Sequence, residues 1–172
     1  ALDKVKDLAA LADIAKINIR TKVHLEVCTA AVEKINDIAT LADIAKGETY
    51  WEIRMVAVEK IKDQAVLAEI AKNDNSVQVA RAAFNNINDI NTLVDIAKCG
   101  SDSDISVRAV GNIEDQLALV DIAKNAEEDL VRSAATRKIK DQAELAFIAR
   151  NDKEDYVRCD AIKKIEDQTV LA

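Results

Sequence analysis

Two independent markers recur along this chain at one interval, and that interval constrains the fold more than any other feature. The tripeptide Ile-Ala-Lys, or Ile-Ala-Arg, begins at Ile14, Ile44, Ile70, Ile96, Ile122 and Ile148, spaced by 30 residues once and then by 26. An aspartate two residues after an aliphatic recurs at Asp7, Asp37, Asp63, Asp89, Asp115, Asp141 and Asp167, again with one interval of 30 followed by intervals of 26. A fixed period of this length is the signature of a stacked repeat architecture.

Composition decides which kind of repeat. Proline is absent and glycine occurs three times, so tight β-turns have almost no raw material. Ala, Ile, Leu, Lys, Glu and Asp dominate, which favours helix. The 172 residues are 49% hydrophobic and 32% charged, too aliphatic and too balanced for intrinsic disorder. The expected fold class is all-α.

Each unit reads as two short helices, A and B. In IRMVAVEKIKDQAVLAEIAKN the apolar stripe of A falls at Ile53, Ala57, Val58 and Ile61. The alanine is invariant among complete A helices (Ala31, Ala57, Ala83, Ala109, Ala135, Ala161), which predicts a close helix crossing there. Asp63 precedes B, whose core positions are Leu67, Ile70 and Ala71, and an aspartate there caps the helix through its unpaired amides. Glu144 in DQAE stands at the reciprocal capping-box position. The A–B link of two or three residues predicts a near-antiparallel hairpin, with a longer polar link to the next A. Four extra residues around INIRTKVHLEV predict a second A helix lengthened by a turn. So short a hairpin cannot bury its own apolar face, so the units must stack, giving an α-solenoid of about six and a half hairpins.

The pattern V-R-x-x-A-V-x-K-I-x-D-Q-x-x-L-x-x-I-A, carried by IRMVAVEKIKDQAVLAEIA, LVRSAATRKIKDQAELAFIA and YVRCDAIKKIEDQTVLA, resembles short bacterial HEAT-like repeats across essentially the whole chain. It departs from them in its short unit, in lacking proline in helix A, and in placing Cys28, Ala80 and Ser106 in the column of Arg54, Arg132 and Arg158. The resemblance implies a right-handed solenoid, one array over 1–172, whose B helices line a concave binding face. Because the chain begins and ends within a repeat, a fragment of a longer array or end-to-end self-association is expected.

On that face the expected partner-binding columns are Asp13, Asp43, Glu69, Asp95, Asp121 and Phe147, with Lys16, Lys46, Lys72, Lys98, Lys124 and Arg150 one turn on. Their plain reading is ion pairs within each helix at i,i+3. Phe147 breaks the acidic column, either as an exposed anchor or as a residue covered by further sequence. Acidic residues between B and A (Asp102, Asp104, Glu127, Glu128, Asp129, Asp152, Glu154, Asp155) suit helix N-termini. Arg137, Lys138, Lys140, Lys163 and Lys164 cluster at the ends of the last two A helices, as helix-dipole partners or as an anion patch. Trp51 staples the helix it precedes or meets a partner, and Tyr156 packs between neighbouring loops.

The net charge of −7 disfavours nucleic acid and anionic membranes, and no apolar run is long enough to span a bilayer. Three separated cysteines, Cys28, Cys99 and Cys159, suit reduced thiols in the cytoplasm. His24 is the only histidine, so no Ser-His or Cys-His set with a second histidine can be built, and no zinc spacing occurs. The expectation is a non-catalytic scaffold, without metal or cofactor, that binds a protein or peptide. The HEAT-like resemblance keeps two alternatives open: a DNA-repair or other nucleic-acid-binding protein, and a chaperone-like bilin lyase subunit.

Overall fold

The computed structural model describes residues 7–17, 22–47, 49–99 and 102–166. These form twelve helices and no strand among the described residues: α1 (Leu8–Ala15), α2 (Lys22–Lys34), α3 (Ile38–Lys46), α4 (Trp51–Lys60), α5 (Gln64–Asn73), α6 (Val77–Asn85), α7 (Ile90–Cys99), α8 (Ser103–Gly111), α9 (Gln116–Asn125), α10 (Asp129–Thr136), α11 (Gln142–Asn151) and α12 (Asp155–Lys164). Even-numbered helices are the A helices and odd-numbered ones the B helices. The final marker Asp167 and the B segment 167–172 lie outside the described residues. α2 has 13 residues against 8 to 10 in the others, so the lengthened helix is present.

The chain forms two compact units, residues 1–87 and 88–172. In the first, the closest pairs are α1 with α2, α3 with α4 and α5 with α6; in the second they are α7 with α8, α9 with α10 and α11 with α12. The packed hairpin is therefore a B helix and the A helix that follows it. This corrects the expectation that the short A–B link closes the hairpin. The corner after α4 runs extended, with Ile61 at φ −79°, ψ 135° and Asp63 at φ −66°, ψ 115°, so it carries the chain away from α4. Ile61 lies in this corner rather than on the helix. It is fully buried there, as are Ile35, Ile113 and Ile139 in the equivalent corners.

Within each unit the hairpins stack as in a helical-repeat solenoid. A helices pack on A helices (α2 on α4 and α4 on α6; α8 on α10 and α10 on α12), and B helices meet one another more loosely. The invariant alanines, all with no exposed surface, lie in the closely stacked A layer, where a side chain without a γ-carbon permits the approach. Asp37, Asp63, Asp89, Asp115 and Asp141 each accept a hydrogen bond from a first-turn amide of the following B helix at 2.8 to 3.1 Å. Each such cap contributes about 1 kcal/mol. The Thr40 and Thr92 hydroxyls and amides hold the Asp37 and Asp89 carboxyls below the usual range.

Candidate functional site

The charged columns on the B helices are exposed or half-exposed, but they pair across the stack. Lys46 on α3 reaches Glu69 on α5, and Lys98 on α7 donates to Asp121 on α9 at 2.9 Å. The separation is 23 residues, one repeat less one helical turn, so stacking brings each base against the next helix's acid. This corrects the i,i+3 reading for these lysines. The hydrogen bond from Lys98, aided by Asn125 at 2.7 Å, holds the Asp121 carboxyl below its ordinary value. Asp13, Asp43 and Asp95 are exposed; Lys16 and Arg150 are exposed and Lys72 half-buried.

At Phe147 the acidic partner is replaced by a ring, and Lys124 lies over it, 4.5 Å from the centroid. Lys124 also pairs with Glu144. Glu144 is thus drawn to the neighbouring helix; Asp141 accepts from its amide at 3.0 Å as the first half of a capping box. Phe147 keeps 48% of its surface exposed. The cavity beside it, lined by Lys124, Phe147, Ile148 and Asn151, holds about 60 Å³. That is well below the roughly 300 Å³ of a small-molecule site.

The five basic residues at the ends of α10 and α12 are largely occupied within the fold. Arg137 donates to Asp160 at 2.9 Å, and Lys163 stands 4.0 Å from the same carboxylate. Lys138 donates to the carbonyls of Val110 at 3.2 Å and Gly111 at 2.7 Å and to Glu114 at 2.9 Å. Lys164 donates to the Arg137 carbonyl at 2.6 Å, whereas at Lys140 it is the backbone amide, not the ammonium, that donates to Gln116, at 2.9 Å. In the first unit Lys60 does the same for the Val32, Glu33 and Ile35 carbonyls. Lys60, Lys138 and Lys164 therefore each complete the end of the preceding A helix, where unpaired carbonyls and the dipole favour a cation.

Sequence reasoning did not find the arginine clasp. Arg54 is buried and grips Asp74 through two bonds of 2.8 Å, and Arg132 grips Asp152 at 2.8 and 3.2 Å. Arg132 also donates to the Ala126 and Glu127 carbonyls at 3.2 and 2.9 Å, and Arg54 to that of Thr49. Burial pushes the Asp152 carboxyl up, but hydrogen bonds from Arg132 and the Glu154 amide outweigh it and hold the group below its usual value. A signal for the clasp exists. Asp stands 20 residues after the arginine at 74 and 152, whereas Cys28, Ala80 and Ser106 are followed at that distance by Glu48, Gly100 and Ala126. Where the arginine is missing, Cys28 and Ser106 donate to the Ile14 and Ile96 carbonyls at 3.1 and 3.2 Å. A polar cleft adjoins each clasp, about 410 Å³ beside Arg54 and 300 Å³ beside Arg132.

Asp102 caps α8, accepting from Asp104 and Ile105 amides at 2.8 and 3.2 Å, and Asp129 accepts from Leu130 at 2.8 Å. Glu128 and Glu154 stand at N-cap positions without a side-chain cap bond. Trp51 opens α4 and is 38% exposed. Tyr156, in the first turn of α12, hydrogen-bonds Asp129 in the first turn of α10; burial and that bond push its phenol up to about 12. No group of three or more His, Cys, Asp or Glu side chains able to hold a metal occurs among the described residues, and no helix there is long and apolar enough to cross a membrane. No protein-family model, curated protein or solved structure matches the chain.

Proposed function

We propose that the chain is a non-catalytic, HEAT-like interaction scaffold that binds a partner protein or peptide across its B helices. The observation that carries this reading is Phe147: an aromatic side chain half open to solvent in a column otherwise acidic, with its ring oriented by Lys124. A half-exposed aromatic held in one orientation is the kind of side chain enriched at interface cores. The surrounding charges, Asp121, Lys124 and Arg150, form the polar rim. Most of the basic cluster is taken up by internal carboxylates and carbonyls, which gives nucleic-acid binding little support. Nothing on this face favours a bilin pocket. The cysteines, unpaired with one another, suit the cytoplasm.

The test is capture from source lysate at low salt by the whole chain and by Phe147→Ala and Asp95→Lys. A defined protein retained by the native chain and lost from Phe147→Ala, with melting unchanged, is the expected result. An identical captured set for all three chains overturns the reading, as does nuclease-sensitive material alone.

A further inference from the structure

A cavity of about 450 Å³ opens between α8, α10 and α12, beside the A helices of the second unit. Its floor is Ala134, and its apolar walls are Val107, Leu130 and Tyr156. Leu130 is 55% exposed and Tyr156 38% exposed, in a column where earlier repeats carry Glu52, Gln78 and Asp104. Neither side chain is consumed by the core. Ala134 puts a one-carbon side chain between these larger walls, as Ala30 and Ala82 do in their repeats, where the same column otherwise holds Val56, Arg108 and Asp160.

The two ends of this slot differ in charge. Asp104, Glu128 and Asp129 gather at the N-terminal ends of α8 and α10. At the other end Arg137 lines the slot with 65% of its side chain exposed, and Lys163 adds a second cation around the single carboxylate of Asp160. From Leu130 to Arg137 is seven residues of α10 and its cap, about 10 Å.

We infer that this slot seats an amphipathic helix of a partner protein, lying antiparallel to α10, with one bulky aliphatic or aromatic anchor over Ala134. Charge complementarity fixes its order: a carboxylate three or four residues before the anchor, facing Arg137, and a Lys or Arg three or four residues after it, facing Asp104. That order also suits the partner helix's own dipole, whose positive N-terminal end favours the carboxylate and whose negative C-terminal end favours the cation. The surface is built from A helices and is separate from the B-helix face of Phe147.

The experiment selects a phage-displayed library of helix-biased peptides of about 15 residues on the whole chain. Enriched peptides are then synthesised in the selected order and in a charge-reversed order. The expected result is enrichment of the acid–anchor–base order. Binding should weaken at least about tenfold for the reversed order and for Leu130→Asp, an exposed position whose helicity and melting stay native, and be unaffected by Phe147→Ala. Ala134→Gln, which fills the floor, serves as the second variant. No enrichment, equal binding of the reversed order, or full binding to Leu130→Asp and Ala134→Gln overturns the inference.

Discussion

Lys124 lies over the ring of Phe147, 4.5 Å from its centroid, in the register where Lys46 meets Glu69 and Lys98 meets Asp121. A cation–π contact thus stands in for an ion pair, and the stacking geometry is kept while the surface changes from acidic to aromatic. An exposed contact of this kind contributes about 0.5–1 kcal/mol. Phe147→Ala should therefore lower stability in urea denaturation by less than about 1 kcal/mol, and Phe147→Glu should restore the ion-pair register with stability near native. A loss above about 2 kcal/mol would mark Phe147 as core.

The clasp between Arg132 and Asp152 behaves differently, because both side chains are almost wholly buried. Arg132→Met leaves a buried carboxylate without its partner and should lower unfolding free energy by about 3 kcal/mol. Arg132→Lys should recover only part, since an ammonium cannot make the two-pronged contact. The double variant Arg132→Met, Asp152→Ala should be markedly more stable than Arg132→Met alone, as a double-mutant cycle would read.

Acid should weaken the second unit through Asp152 and Asp160. Burial raises the Asp160 carboxyl, but bonds from Ser133 and Arg137 prevail and hold it low. For both groups the folded value lies below the unfolded one, near 4. Their contribution is complete above about pH 5 and is lost as pH falls through the depressed folded values. Melting temperature should drop over that acid range, and Asp152→Asn should flatten the drop.

At the alkaline end the sign reverses. The Tyr156 phenol, at about 12, favours the protonated form in the folded chain, so its contribution holds below about pH 10 and fades as pH rises toward 12. Ultraviolet titration should show a tyrosinate component near pH 12 that Tyr156→Phe removes and Asp129→Ala moves to lower pH.

The alanine column is the steric test of the stack. Ala135 has no exposed surface, and Ala135→Leu should cost about 3 kcal/mol through overpacking, whereas Ala143→Leu, at an exposed position, should change little. Thermal melts of the two variants separate packing from helix propensity.

The period, the aspartate caps and the alanine column were all legible, because each is a local demand of one helix or one crossing repeated in the sequence. Hairpin pairing was not: links of similar length join both kinds of neighbour, so link length does not set which pair folds together. The ion-pair columns were visible, but their partners depend on the stagger between stacked helices, which no single helix encodes. Lys138 illustrates the same limit at the basic cluster. Its partner carbonyls Val110 and Gly111 carry no side-chain signature at all.

Hairpin and clasp are out of phase along the chain. The packed pair joins a B helix to the A helix after it, whereas Arg54–Asp74 and Arg132–Asp152 tie an A helix to the end of the B helix after it. A crossover exchanging single units therefore finds no silent seam beside a clasp. A cut in a corner such as 61–63 divides the clasp, and a cut in a loop such as 74–76 divides the hairpin. Transplanting one clasped unit intact requires carrying both neighbouring half-hairpins with it, so the smallest portable piece of this array is longer than its period.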